Sequence, residues 1–220
     1  MTDGDATDSR PEIPGESVTA ADEAADEPTA TEAYEVLVAE PGLGPVVEEH
    51  GPLELDPAED PFRRLVVSIL RQQVSMASAA AIRERMFEAM EVTPEGVLAA
   101  DEAVLRDAGL SEAKVEYVRA LADAWLERGY SQSYFDGMDN EAVAAELGEI
   151  RGIGPWTVDM FLMFGLGRPD VFPVGDLGIR KGMRALYGEE MTRAEMRERA
   201  EPWRPYRSYA SLYLWRAYEG

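Results

Sequence analysis

The stretch Leu147-Gly-Glu-Ile-Arg-Gly-Ile-Gly-Pro-Trp-Thr-Val-Asp159 predicts two helices joined by a tight turn. Gly152 and Gly154 flank a single apolar residue, Ile153, which fixes the turn if it packs between the two helices. Glycine permits a positive φ angle and a close backbone approach, and Pro155 suits a first helical position, where its missing amide costs nothing. The turn therefore presents free backbone N–H groups at the positive end of a helix, which is an anion site.

A DNA phosphate fits such a site, because backbone amides hold phosphate without reading sequence. A bare Gly-x-Gly pair would also suit an ordinary corner between two helices with glycine caps. The full pattern Leu-x-x-Ile-x-Gly-Ile-Gly-x-x-Thr is far more restrictive and favours a DNA-binding hairpin. For the candidate arginines Arg151, Arg204 and Arg207, the alternative interpretation is that they are ordinary solvated surface side chains. The predicted phosphate contacts are Gly152, Ile153, Gly154, Thr157, Arg151 and Arg207, with Arg204 as a further candidate.

Outside this stretch, apolar residues recur at helical spacing between Pro and Gly breaks from residue 31 onward. Residues 41–61 are predicted to be a loop, and the one extended candidate, Val171–Val174, contains Pro173 and is not expected to join a sheet. The predicted fold class is therefore all-α, with about ten helices. The predicted helices are Glu32–Glu40, Phe62–Leu70, Ser75–Met90, Pro94–Ala100, Asp101–Ala108, Ser111–Arg128, Asp139–Leu147, Pro155–Phe164, Asp176–Tyr187, Thr192–Ala200 and Pro205–Tyr218.

The hairpin resembles that of the helix-hairpin-helix (HhH-GPD) DNA glycosylase superfamily. The second signature of that superfamily is a Gly/Pro-rich loop that ends in an invariant Asp, and here it is Asp170-Val-Phe-Pro-Val-Gly-Asp176. Two more segments are similar to the alkylpurine branch, the AlkA-like DNA-3-methyladenine glycosylases II. They are Ile69-Leu-Arg-Gln-Gln-Val-Ser75, and Trp203-Arg-Pro-Tyr-Arg-Ser-Tyr-Ala210 followed by Leu214-Trp215. The resemblance covers roughly residues 60–220.

The resemblance implies two helical lobes with the active-site cleft between them. One lobe is expected in residues 31–60 plus about 166–220, and the other, with the hairpin 147–159, in residues of about 61–165. Residues 1–30 precede this unit as an acidic tail rich in Ala, Thr, Pro and Gly. We expect the tail to be disordered, because it can bury too little apolar surface to offset the ordering entropy.

Asp176 follows a glycine and begins a predicted helix, so a helix N-cap is its simplest interpretation. The resemblance implies that Asp176 is also the catalytic carboxylate of a DNA glycosylase. Cleavage of an N-glycosidic bond builds positive charge on the deoxyribose, and a carboxylate held nearby stabilises that charge. The same group can orient the attacking water, as carboxylates do in sugar hydrolases. Both roles are compatible with the cap, because a helix N-terminus favours negative charge.

The residue after Pro155 distinguishes two chemistries. Glycosylases that also cleave the strand resemble this hairpin but carry a nucleophilic lysine there, whereas this chain has Trp156. The only lysines are Lys114 and Lys181, and neither occupies that position. The chain has no cysteine, which excludes thiol nucleophiles and a cysteine-bound iron–sulfur cluster. We therefore expect a monofunctional enzyme that stops at an abasic site and requires no cofactor.

By the same resemblance, Trp156 and Trp215 line the base pocket. Alkylation at a ring nitrogen makes a purine cationic, and the electron-rich face of an indole attracts cations. The alternative is that both tryptophans are core residues. Met160 falls where some relatives carry a tyrosine, which leaves the substrate range open. Gln73 matches the wedge that fills the gap left by a flipped base, although a helix-capping amide is the alternative.

The expected partner is double-stranded DNA that contains damaged bases, and the expected activity is the excision of alkylated purines in base excision repair. As in relatives, the carbonyls of Gly148, Ile150 and Ile153 are predicted to hold a structural Na+ or K+ in the hairpin. One alternative is a non-catalytic HhH module that binds DNA or senses damage, for which Asp176 and the pocket aromatics are dispensable. Another is a glycosylase for uracil, mismatched thymine or oxidised guanine.

The net charge of −22 weighs against nucleic-acid binding, but residues 1–60 alone carry −17. An acidic, lysine-poor composition is typical of halophilic proteins, and at molar salt charges are screened within about 3 Å. We therefore still expect DNA as the partner of a monomeric protein. Apolar runs fall short of the roughly 18 residues of a membrane span, and the acidic N-terminus does not resemble a secretory leader. The expected location is the cytoplasm, at the nucleoid.

Overall fold

The computed structural model describes residues 28–188 and 190–219. Within this part of the chain it contains thirteen α-helices, one 3-10 helix (Glu201–Trp203) and no strand, so the all-α prediction is confirmed. The α-helices are α1 (Ala30–Leu37), α2 (Gly44–His50), α3 (Pro61–Arg71), α4 (Met76–Ala89), α5 (Pro94–Ala99), α6 (Glu102–Asp107), α7 (Glu112–Arg128), α8 (Gln132–Phe135), α9 (Asn140–Gly148), α10 (Pro155–Phe164), α11 (Leu177–Tyr187), α12 (Arg193–Ala200) and α13 (Arg207–Glu219).

Most predicted helices begin and end within three residues of the observed ones, and α10 has the predicted bounds. Helix α2 lies in the segment predicted to be a loop, and α8 lies in a segment for which no helix was predicted. Gly44 and Pro45 would interrupt a helix interior, but a proline is well accommodated in the first turn of a helix, and Pro45 lies in the first turn of α2. Most of the predicted disordered tail lies outside the described residues. Its last residues belong to α1, because Thr29 caps that helix in a reciprocal hydrogen-bond pair with Glu32.

Helix α3 is the centre of one group of helices, in which it packs against α4, α7 and α10. Asp60 caps its N-terminus by accepting from the Arg63 amide, and Pro61 occupies the first turn. Its apolar residues recur every three or four positions and are buried, so the helix is stabilised mainly by the face that it buries. Helices α5, α6 and α9 complete this group. The buried α3 side chains include Phe62, Leu65, Val66, Ile69 and Leu70.

Helix α13 is the centre of the second group, in which it packs against α1, α2 and α11. The contact with α11 is close because two glycines face α13. A Cβ atom on Gly182 would lie 2.2 Å from the Leu214 carbonyl oxygen, and one on Gly178 would lie 2.6 Å from Trp215 Cδ1. Only a residue without a side chain fits at this distance. The two glycines therefore let α13 place Trp215 against the first turn of α11.

None of the helices in the described part of the chain is both long enough and apolar enough to cross a membrane.

Candidate active site

A cleft of about 1310 Å³ lies between the two groups of helices. Its walls come from the turn between α3 and α4, the hairpin before α10, the start of α11 and the last turns of α13. Leu53 and Glu54, from the segment before α3, also line it. The cleft therefore collects most of the predicted site residues from four distant parts of the sequence: Gln73, Gly152, Ile153, Gly154, Trp156, Met160, Asp176 and Trp215.

The carboxylate of Asp176 is held in this cleft by three hydrogen bonds. Asp176 is the N-cap of α11, and its Oδ1 accepts from the Ile179 amide at 3.1 Å. Trp215 Nε1 donates to the same oxygen at 2.9 Å, and Trp156 Nε1 donates to Oδ2 at 2.8 Å. Three donors from α10, α11 and α13 therefore fix the side chain in one orientation.

The two carboxylate oxygens of Asp176 accept different numbers of hydrogen bonds. Each oxygen of an ionised carboxylate can accept about two hydrogen bonds. Oδ1 accepts from Ile179 and Trp215, whereas Oδ2 accepts only from Trp156 among the described residues. Oδ2 therefore retains an acceptor position for a water molecule or a substrate group. The pairing also explains both tryptophans: their N–H edges face the carboxylate, a role that the sequence analysis did not predict.

Apolar side chains surround this pair of tryptophans. Phe164 lies beside Trp215, with ring centroids 5.8 Å apart and the planes inclined by 31°. Met160, Leu53 and Leu212 extend the same wall, and Met160 is buried. Trp156 and Trp215 are only partly buried, so they are not the fully enclosed core residues that the alternative required. The cleft offers a flat aromatic surface next to a fixed carboxylate.

The hairpin turn has the conformation that its glycines predicted. Gly152 has a φ of +92°, and a Cβ atom there would lie 2.1 Å from the ring of Tyr117, which packs on the turn from α7. Ile153 is buried and Pro155 begins α10. In the described structure no hydrogen bond engages the amides of Gly152, Gly154 and Trp156. These amides are therefore open to an anion at the positive end of α10, and the phosphate site there stays a prediction.

Thr157 uses its side chain in a contact within the protein. It is buried, its amide donates to the Gly154 carbonyl at 2.9 Å, and its hydroxyl accepts from Gln72 Nε2 at 3.0 Å. In this structure the Thr157 side chain therefore binds Gln72, a residue with no predicted role, and the contact of Thr157 with phosphate stays a prediction. The sequence holds no signal for the contact between Gln72 and Thr157, because the two residues are 85 positions apart.

Gln73 is exposed at the mouth of the cleft, between α3 and α4. Its φ of +56° makes it the one non-glycine residue with a positive φ in the described chain. This conformation is uncommon for residues other than glycine. The cap of α4 is instead Ser75, whose hydroxyl accepts from the Ser78 amide.

The three arginines predicted to contact phosphate are all held in ion pairs. Arg151 pairs with Glu116 at 2.6 Å but remains exposed beside the hairpin. Arg204 and Arg207 instead form ion pairs with Asp170: Arg204 Nη1 lies 2.6 Å from Oδ2, and Arg207 Nε lies 2.5 Å from Oδ1. The Arg207 side chain is only 13% exposed. In this structure Arg207 therefore anchors the loop that leads to Asp176, and its contact with phosphate stays a prediction.

A second cavity of about 640 Å³ borders the hairpin and is lined by charged side chains that include Asp159, Arg197, Arg204 and Arg207. Asp159, on α10, accepts no hydrogen bond from the residues that the structure describes. Burial raises the pKa of its carboxyl from the usual 3.8 to about 7, and Arg197 only partly opposes this shift. The Asp159 carboxyl therefore takes up a proton at a much higher pH than an exposed aspartate does.

We expect Asp159→Asn to stabilise the protein at pH 8 by about 2 kcal/mol, or roughly 4–8 °C in Tm. The folded protein binds the Asp159 proton more tightly than the unfolded chain, so its stability falls as pH rises from about 4 to about 7. Asparagine does not ionise and avoids that loss. Thermal denaturation at pH 5 and pH 8 measures this effect, and a Tm difference that is equal at the two pH values would contradict it.

Neither lysine lines the cleft. Lys114 is buried on α7, where its Nζ donates to the Leu70 carbonyl at 2.6 Å and burial lowers its pKa. Lys181 is exposed on α11 and donates to the hydroxyl of Tyr218, a residue of the cleft rim. A lysine nucleophile therefore has no candidate among the cleft residues that the structure describes.

The carbonyls of Gly148, Ile150 and Ile153, which were predicted to bind a monovalent cation, belong to the hairpin. The Ile150 carbonyl accepts from the Ile153 amide at 3.0 Å, which uses one of its two acceptor positions. The Na+ or K+ site at Gly148, Ile150 and Ile153 stays a prediction. In the described residues, no group of three or more His, Cys, Asp or Glu side chains is arranged to hold a metal ion.

Comparison with known proteins gives consistent matches. A family model described as HhH-GPD superfamily base excision DNA repair protein matches residues 66–205. The Bacillus subtilis protein YfjP is 35% identical over 190 residues, which are 80% of this chain and 66% of that protein. The DNA-3-methyladenine glycosylase 1 of Schizosaccharomyces pombe is 31% identical over 166 residues, or 72% of each chain. The structure of the S. pombe 3-methyladenine DNA glycosylase Mag1 in complex with abasic DNA superimposes with a TM-score of 0.77, at 29% identity, covering 84% of this chain and 96% of that chain.

Proposed function

Because the chain belongs to the HhH-GPD superfamily of base excision DNA repair proteins, we propose that it is a monofunctional DNA glycosylase for alkylated purines. The observation that carries the proposal is the fixed carboxylate of Asp176, held by two tryptophan N–H groups with one acceptor position of Oδ2 left toward the cleft. A carboxylate in this setting suits a reaction in which positive charge develops on a sugar.

In the proposed reaction, the hairpin amides of Gly152 and Gly154 bind a phosphate and fix the register on the duplex. Gln73 enters the base stack as the damaged nucleotide leaves it. The base then stacks on the indole faces of Trp156 and Trp215, which favour a cationic alkylated purine. A Na+ or K+ bound by the hairpin carbonyls would add to the positive potential at the phosphate.

The chemical step needs little acid catalysis, because an alkylated purine already carries a positive charge and leaves as a neutral base. The bond between the base nitrogen and C1′ breaks with its electron pair on the base. Asp176 stabilises the oxocarbenium-like sugar, and Oδ2 orients the water that adds to C1′ and passes its proton to solvent. The products are a free base and an abasic site. Since no lysine lines the described cleft, strand cleavage by a Schiff base is not part of the proposal.

A panel of duplexes in molar KCl tests the substrate class and the absence of lyase activity. We expect release of base from a duplex with the cationic purine 7-methylguanine, with strand breaks only after alkali and no covalent adduct with borohydride. Activity confined to uracil, mismatched thymine or 8-oxoguanine would assign the enzyme to another branch. A borohydride adduct would show a lysine nucleophile.

Removal of either indole donor should slow excision. We expect Trp156→Phe and Trp215→Phe each to lower the single-turnover rate about ten- to a hundredfold, because each loses a hydrogen bond to a charged group. DNA affinity should change little. Trp125→Phe is the matched control, since Trp125 packs on Phe62 in the core, 5.4 Å between ring centroids, and should affect only Tm. A wild-type rate in both cleft variants would show that the indole donors do not position Asp176.

A further inference from the structure

One side chain, Gln72, joins the turn between α3 and α4 to the hairpin. Its Nε2 donates to the Gly152 carbonyl at 2.9 Å and to the Thr157 hydroxyl at 3.0 Å. These partners are 80 and 85 positions away in the sequence. Both amide hydrogens of Gln72 are therefore committed to the hairpin. Its neighbour Gln73 is the exposed residue with positive φ described above.

The turn that carries Gln73 is fixed on both sides. Before it, Lys114 Nζ donates to the Leu70 carbonyl at the end of α3, at 2.6 Å. After it, Ser75 caps α4. A non-glycine residue with positive φ persists only where the surrounding structure holds it. The hydrogen bonds from Gln72 to Gly152 and Thr157 connect this turn to the hairpin and so help to hold Gln73 in its conformation.

The acceptors of Gln72 are also connected to the anion site. The Gly152 carbonyl and the Ile153 amide belong to one planar peptide unit, so neither moves alone. The free amides of Gly152 and Gly154 lie on either side of that unit. A phosphate that draws these amides toward itself therefore also shifts or fixes the carbonyl that Gln72 holds.

We propose that Gln72 is a positioning residue that couples the phosphate-binding hairpin to the Gln73 turn, so that phosphate binding sets the position of the wedge. The inference rests on the proposed function for its catalytic consequence. In this proposal Gln72 acts through its hydrogen bonds to the hairpin and not through contact with the base or the sugar. Its loss should therefore impair base flipping more than bond cleavage.

The test uses the full chain with Gln72→Met, which keeps the size of the side chain and removes both donors, and Thr157→Val, which removes one acceptor. Single-turnover excision is measured on a fully paired duplex and on the same lesion in a mismatch bubble, where unpairing is already done. We expect Gln72→Met to slow excision from the paired duplex about tenfold, and from the bubble by less than about threefold. Thr157→Val should show the same preference, and the double variant should be no slower than Gln72→Met.

Hydrogen exchange in the free protein provides a readout that does not need activity. Gln72→Met should raise exchange in residues 71–75 and 150–157 together, whereas Gln73→Met should leave the hairpin unchanged. Equal slowing on both duplexes, or faster exchange in residues 71–75 alone, would overturn the coupling. If the wild type releases no base from either duplex, the proposed function fails, and the exchange data still decide whether Gln72 couples the two segments.

Discussion

Asp176→Asn is expected to lower the single-turnover rate of base excision by about a thousandfold, the upper range for removal of one electrostatic contact to a charged transition state. Asparagine is as good an N-cap as aspartate, and its carbonyl can still accept from the Ile179 amide. The variant should therefore fold normally. It loses the negative charge, and one of the two indole N–H groups loses its acceptor.

The affinity of Asp176→Asn for duplex DNA should stay within about threefold of the wild type or increase, because a negative charge near the phosphates is removed. Asp139→Asn is the matched control. Asp139 is likewise an N-cap, accepting from the Ala142 amide at 2.7 Å at the start of α9, but it does not line the cleft, so its replacement should leave the excision rate nearly unchanged. An Asp176→Asn variant that retains a tenth of the wild-type rate would reduce Asp176 to a helix cap.

Gly152→Ala is expected to destabilise the protein by about 2–4 kcal/mol and to weaken DNA binding at least about tenfold. The added Cβ atom would collide with the Tyr117 ring, and alanine strongly disfavours a φ of +92°. The loss of affinity should be equal for damaged and undamaged duplexes, because the hairpin binds phosphate rather than bases. Thermal denaturation and fluorescence anisotropy measure the two effects.

Two variants separate the causes of this loss. Gly137→Ala is a matched control, since no atom lies within 4 Å of a Cβ at Gly137 and its φ is not in the positive range. The double variant with Tyr117→Ala removes the collision and should restore part of the affinity, with the backbone strain remaining. Unchanged DNA affinity in Gly152→Ala would contradict the assignment of the hairpin as the phosphate site.

Features that depend on a few neighbouring residues were predictable from the sequence. The hairpin turn, the bounds of α10 and the capping role of Asp176 follow from local glycine, proline and aspartate preferences. Helix α2 was missed because Gly44 and Pro45 break a helix interior as readily as they begin one. Local sequence does not distinguish these two uses.

Features that depend on distant residues were not predictable. The hydrogen bonds from Trp156 and Trp215 to Asp176 span 20 and 39 positions. Arg207 was expected at a phosphate, but its partner is Asp170, 37 positions earlier. Gln72 and Gln73 are the same residue type, so the sequence does not distinguish their roles. In the structure Gln72 binds the hairpin, whereas Gln73 has a positive φ and lies exposed at the mouth of the cleft.

The most direct test of the central claim is to incubate the wild-type protein with methylated DNA in molar KCl and to identify the released small molecules by mass spectrometry. We expect free methylated purines to accumulate together with an equal number of abasic sites in otherwise intact strands. DNA that is bound but releases no base would contradict the claim, and would leave the hairpin as part of a binding module.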